Sequence, residues 1–263
     1  MEDIINCQKA GTAGGDHCRS AGKLFVVGIG PGNRLDRTHR AEAAIAASTV
    51  VVGYDPYIAS IADLCGGKET VTSGMRKESE RCGVALQRAL QGATVALISS
   101  GDAGVYGMAG LALEMAAAEG WQVEIEVVAG VSAANAAAAQ LGAPLMLDSA
   151  TISLSDLLVP WKMIVMRLEA VAAADMVVSL YNPRSKKRRH QLEDAAKIFL
   201  RHRLGTTPVG IVTAAGDLQQ QVVYSDLDHF LDEEIGMRSL VVIGNSTTQI
   251  MNGRMVTPRG YYR

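Results

Sequence analysis

Residues 24–32 read L-F-V-V-G-I-G-P-G, an apolar run from Leu24 to Ile29 that breaks at Gly30-Pro31-Gly32. A short apolar strand stopped by a glycine turn, with an alanine-rich helical stretch at Thr38–Ala47 behind it, is the opening of a β-α unit. The rhythm then repeats. Strands are expected at Thr49–Gly53, Glu69–Thr72 (an edge), Thr94–Ser99 and Gln122–Val128. Helices are expected near Pro56–Leu64, at Glu78–Gln91 with Val84, Leu86 and Leu90 inward, and at Tyr106–Glu119. Strands separated by helices need crossover connections, so this half predicts a doubly wound parallel sheet.

Beyond Gly130 the rhythm changes. Ser132 caps a helix running to Leu141, stopped by Gly142 and Pro144. A strand at Met176–Tyr181, a helix at Lys186–Arg203 and strands at Val209–Thr213, Val222–Ser225 and Ser239–Ile243 follow. The last three have little helix between them, which favours antiparallel pairing and a mixed sheet. The expected architecture is two unlike α/β domains, residues 23–130 and 131–263, after a flexible extension at 1–22.

Composition excludes several classes. Lys plus Arg total 25 and Asp plus Glu 27, a net charge of −2, without the basic excess of a nucleic-acid or anionic-membrane binder. The uncharged stretch Val127–Leu147 is interrupted by Gly130, Ser132, Asn135, Gln140, Gly142 and Pro144, so it does not read as a membrane span. The first residues lack the apolar core of a secretory signal, which predicts a cytoplasmic protein. The cysteines at 7, 18, 65 and 82 form no C-x-x-C pair, and the five histidines share no metal-ligand spacing, so no protein-bound metal is expected. Glycine, 27 of 263 residues, stands at about 10% against an average near 7%, whereas aromatics are scarce.

The glycines gather at strand ends, where ligands sit in open parallel sheets. The first loop, Gly28–Gly32, departs from the dinucleotide fingerprint: Asn33 replaces the third glycine and Pro31 removes an N–H. The second, S-S-G-D-A-G-V-Y-G at 99–107, brings Gly101, Gly104 and Gly107 together with Asp102, which can accept from ribose-like hydroxyls or cap the helix. The third, A-G-V-S-A at 129–133, sets Ser132 at a helix start. None carries the Gly-Lys-Ser/Thr of a phosphate loop, so the cradle suits a phosphate-free ligand.

Taken together, V-G-I-G-P-G, Tyr54-Asp55, S-G-D-A-G-V-Y-G, V-A-G-V-S-A-A-N and G-A-P-L resemble the tetrapyrrole methylase family, S-adenosylmethionine-dependent enzymes of corrinoid and sirohaem synthesis. Downstream, L-S-D-L-L-V-P-W (154–161), L-Y-N-P-R-S-K-K-R (180–188) and V-I-G-N-S (242–246) resemble members that methylate C17 and contract the ring. The resemblance implies an active-site trough between two domains, a homodimer, and S-adenosylmethionine as methyl donor with S-adenosylhomocysteine as product. It implies precorrin-3B or cobalt-factor III, a macrocycle with several carboxylates, as substrate in cobalamin synthesis. Cofactor contacts would fall on Pro31, Ser100, Gly101, Asp102, Val105, Ser132, Ala133, Asn182 and Ala215. Asp55 would be the general base, with a helix cap ahead of Pro56 as its other reading.

The basic run Arg184, Lys186, Lys187, Arg188, Arg189 reads either as a solvated face or as a grip on substrate carboxylates. Arg76, Arg184, Lys186 and Arg188 are the candidates for that grip, with Arg37 and Arg40 as helpers. Methylation at another position such as C11, a nicotinamide-dependent reductase and a non-catalytic corrinoid carrier stay open as alternatives.

Overall fold

Strands buried on both faces need near-continuous apolar sequence, and the first half supplies it. The computed structural model describes residues 22–185 and 188–261. Strands β1 (Lys23–Gly28), β2 (Val50–Tyr54), β3 (Glu69–Ser73), β4 (Thr94–Ser99) and β5 (Glu124–Val128) form an all-parallel sheet in the order β3-β2-β4-β1-β5. One face packs on α3 (Glu78–Leu90) and α4 (Ala109–Ala118) through Leu24, Val26, Leu86 and Leu97. The other packs on α1 (His39–Ala47) and α2 (Asp55–Ser60) through Val27, Ile45, Ile58 and Ile98. Thr38 caps α1, its Oγ1 accepting the Ala41 N–H at 3.1 Å. Of the expected extension, residues 1–21 lie outside the described residues, and Gly22 is already tied to Ala89 by a 2.8 Å backbone bond.

The chain then crosses to a second sheet by way of α5 (Ala133–Leu141). That sheet holds β7 (Ser149–Ser153), β8 (Val177–Tyr181), β9 (Pro208–Thr213), β10 (Gln221–Asp226) and β11 (Ser239–Ile243) in the order β10-β9-β11-β8-β7. β7 and β8 are parallel and every other pair is antiparallel, so the sheet is mixed as the spacing predicts. Helices α6 (Trp161–Ala173) and α7 (Gln191–Leu200) bury Ile164, Leu168, Leu192 and Phe199 on one face. α5 covers the other with Ala134, Ala137 and Leu141. The hairpin β12 (Gln249–Met251) and β13 (Arg254–Val256) pairs with the two-residue β6 (Gly142–Ala143).

Three sequence expectations need correction. β7 and α6 are absent from the expected elements: β7 is a short, polar strand on a sheet edge, and α6 starts after Pro160 with no side-chain cap. The helix expected from Lys186 begins at Gln191. Ahead of it Ser185 donates its N–H to the Arg188 carbonyl at 3.0 Å, and its Oγ accepts the Arg188 N–H at 3.1 Å. The basic run therefore sits ahead of the helix, whose first turn carries Glu193 and Asp194 as the macrodipole favours. Likewise α4 starts at Ala109, because Tyr106 is held at φ +53°.

Candidate active site

The three glycine loops meet backbone to backbone. Gly30 and Gly101 exchange both hydrogen bonds, at 3.0 and 2.8 Å. A methyl group on Gly130 would lie 2.6 Å from the Gly28 carbonyl oxygen and closer still to that of Gly101. A methyl on Gly28 would lie 2.9 Å from the Gly130 nitrogen. Gly28 and Gly130 are thus glycines because backbones cross there, a demand of the fold and not of a ligand. Gly101 differs: it adopts φ +63°, and the first atom its missing side chain would meet is the Ala133 nitrogen at 3.7 Å. Two of the expected cofactor positions, Gly101 and Ala133, are therefore neighbours.

Asp102 joins the same loops. Its Oδ1 accepts the Gly104 N–H at 2.8 Å and its Oδ2 the Gly130 N–H at 3.0 Å. It does not cap α4, whose N-cap is Met108 without a side-chain bond. Ser132 caps α5 as expected, accepting the Asn135 N–H at 3.3 Å. Ser100 lies beside the half-buried Tyr57, whose hydroxyl is pushed above its ordinary value by burial.

Residues of the mixed sheet and its loops reach these loops at three places. The Tyr181 hydroxyl, at the end of β8, accepts the Ala134 N–H at 2.8 Å. Its ring lies 5.2 Å from that of Tyr106, which donates to the Thr151 carbonyl at 3.2 Å. Burial raises both phenols, keeping them protonated at neutral pH. Asn182, at φ +53°, donates to Ser153 Oγ at 3.0 Å. Finally, a methyl on Gly216 would lie 3.2 Å from Pro31 Cγ, so the turn containing Ala215 packs on the first glycine loop. Val105, next to Tyr106 in the chain, is exposed.

Among the acid–base and basic candidates, Asp55 opens α2 with an exposed carboxylate that makes no cap bond, so the capping alternative is set aside. Arg76 is exposed and held at φ +66°. Arg188 is committed locally: its Nε donates to the Asn182 carbonyl at 2.9 Å and its Nη1 to Ser155 Oγ at 3.2 Å. Arg184 and Arg189 line a hollow of about 630 Å³ with Ile235 and Met237. Lys186 and Lys187 lie outside the described residues. Arg37 is nearly buried and bonded to Asp63 and the Ser60 carbonyl at 2.8 Å, whereas Arg40 is exposed with Glu126 at 3.7 Å. No cluster of three His, Cys, Asp or Glu suited to a metal occurs among the described residues, and no described helix is long and apolar enough to cross a membrane.

Sequence reasoning missed Tyr57, Arg81 and Tyr181 as members of this region. Tyr181 carried a usable signal, since it ends a strand directly before Asn182; Arg81 carried none, lying within an amphipathic helix.

A five-stranded parallel sheet followed by a mixed one, with strand-end loops gathered along one seam, defines an α/β protein of two unlike halves. Residues 23–230 match the model of the tetrapyrrole (corrin/porphyrin) methylases, and the chain belongs to that family. It is 47% identical over 246 residues to the cobalt-factor III methyltransferase of Priestia megaterium, covering 92% of this chain but 46% of that one. It is 44% identical over 238 residues to a probable cobalt-factor III C(17)-methyltransferase of Salmonella typhimurium, covering 90% and 99%. Among solved structures, the methyltransferase CobJ superposes with a TM-score of 0.86 at 35% identity, over 90% of this chain and all of that one.

Proposed function

We propose that this chain transfers a methyl group from S-adenosylmethionine to C17 of cobalt-factor III or precorrin-3B, with contraction of the macrocycle, in cobalamin synthesis. The observation that carries the reading is the seam where the Gly30–Gly101 pair, Asp102 and the capped start of α5 face Tyr181 and the turn at Ala215. It is supported by family membership and by the activities named for the two relatives.

The seam fits the methyl donor chemically. Its loops at 28–33, 99–107 and 129–133 are mostly Gly, Ala, Val and Ser and hold no basic residue, which suits a phosphate-free ligand. Pro31, Ser100, Gly101, Asp102, Val105, Ser132, Ala133, Asn182 and Ala215 are the proposed contacts. When bound, the cofactor supplies an electrophilic methyl group on a sulfonium with a neutral thioether as leaving group. The chain's own work is orientation, because holding reactants in line lowers the barrier without further chemistry. Asp55, exposed and free of capping duty, is the proposed acceptor of the proton released as the ring contracts. Arg76 and Arg184, with Lys186 and Arg188, are the proposed partners of the substrate carboxylates. The homodimer and the cytoplasmic location belong to the same proposal.

The test is incubation of the full chain with methyl-labelled S-adenosylmethionine and each macrocycle in parallel. A product heavier by one methyl, placed at C17 by NMR, is the expected result. No transfer to either macrocycle, or a methyl at C11, overturns it.

A further inference from the structure

Arg81 is 5% exposed, yet no carboxylate pairs with it among the described residues. From the first turns of α3 its Nε donates to Ser73 Oγ at 3.0 Å and its Nη2 to the Gly74 carbonyl at 3.0 Å. The guanidinium carbon lies 5.8 Å from the centre of the Tyr54 ring, whose edge meets Tyr57 at 5.2 Å and 90°. Tyr57 in turn lies beside Ser100, which acts on its hydroxyl. A continuous set of contacts thus runs from the second glycine loop, past Asp55, to the segment that presents Arg76 at φ +66°.

A buried guanidinium answered only by neutral acceptors is costly to keep, since such charges are ordinarily paired. Here both hydrogen-bonded partners belong to the 73–74 bend, so the guanidinium fork clamps the segment that carries Arg76 at the carboxyl ends of β2 and β3. Arg76 held in that way presents a cation suited to a substrate carboxylate. We propose that Arg81 is a positioning residue for the macrocycle: it fixes the 73–77 segment, and with it Arg76, relative to Asp55 and Ser100. The inference rests on the reading of a carboxylated tetrapyrrole as substrate.

The test compares Arg81→Met, which removes charge and fork, with Arg81→Lys, which keeps the charge and loses the fork. Macrocycle binding is titrated by its absorbance without turnover, S-adenosylhomocysteine by calorimetry, and backbone exchange at residues 73–77 by mass spectrometry. Arg81→Met is expected to weaken macrocycle binding and raise its KM roughly tenfold or more, as small misplacements do. Exchange at 73–77 should quicken and S-adenosylhomocysteine affinity should stay within about twofold of wild type, since the change lies outside the cofactor seam. Arg81→Lys should recover part of the affinity and its salt dependence. Unchanged macrocycle binding in Arg81→Met, or an equal loss for both ligands, overturns the proposal. If Arg81→Met does not fold, Ser73→Ala and Arg81→Lys carry the same comparison: selective loss of macrocycle binding upholds the proposal, and unchanged binding or an equal loss for both ligands overturns it. A wild-type chain that binds the macrocycle but transfers no methyl overturns the proposed activity and leaves this test intact.

Discussion

The Asp102 carboxylate and the Gly130 N–H meet at 3.0 Å across 28 positions of sequence, and the other carboxylate oxygen holds Gly104 at 2.8 Å. One side chain therefore ties the second and third glycine loops together. Asp102→Ala leaves two backbone donors without their acceptor, a loss of about 1–3 kcal/mol for each one kept from water. Asp102→Asn turns an amide donor toward one of those N–H groups. Both variants should unfold at lower denaturant and bind S-adenosylhomocysteine more weakly, with Ala no better than Asn. Wild-type affinity in both would remove Asp102 from the cofactor site.

Glycines 130 and 110 make a matched pair. Gly130→Ala drives a methyl into the Gly28 carbonyl and should cost about 3 kcal/mol, the upper range for overpacking. Gly110→Ala, in α4 with no atom within 4 Å of the new methyl, should be neutral or stabilising by up to about 1 kcal/mol from helix propensity. Urea titration of both reads the difference directly.

Asp55→Asn isolates chemistry from structure. The carboxylate is exposed and makes no cap bond, so the melting temperature should hold and stability should change by no more than about 0.5 kcal/mol. Turnover should fall roughly 10²-fold or more if the group accepts a proton in the rate-limiting step. Single-turnover kinetics at saturating macrocycle decide it: a variant as fast as wild type clears Asp55 of the role.

Strong acid should loosen the turn at 214–217. The Gln219 N–H, and after it Arg238, hold the Asp217 carboxyl below its ordinary value. A lowered folded pKa means the contribution is present above the unfolded value, near about 3.9, and is lost as pH falls through the folded one. S-adenosylhomocysteine affinity should therefore decline in that window, and Asp217→Asn should flatten the decline. An identical profile in the variant assigns the acid sensitivity elsewhere.

How far the sequence carries depends on the burial of each element. β1, β2 and β4 are legible because strands covered on both faces read as apolar runs, and the crossovers between them fix a parallel sheet. β7 is not: Ser149–Ser153 is a polar edge strand, and its partner β8 lies beyond a whole helix. In the site, Ser132 and Gly101 announce themselves through capping and positive φ, both local properties. Tyr181 and Ala134 are joined across 47 positions, and Arg81 looks like any polar residue of an amphipathic helix. Such roles are set by tertiary neighbours, which leave no mark on the local pattern. The corrected start of α7 has a local cause: five basic residues oppose a helix dipole at its amino end.

The seam at Gly28, Gly101 and Gly130 has a consequence for anyone wishing to redirect the enzyme. The backbones crossing at Gly28 and Gly130 leave no volume in which to introduce a new side chain, so those two positions are closed to redesign. The segments at 73–77 and 182–185 are open to it, with Gly74 facing empty space and Arg184 bordering a hollow. A library aimed at moving the methylated carbon should randomise those two segments and leave the glycine crossing untouched.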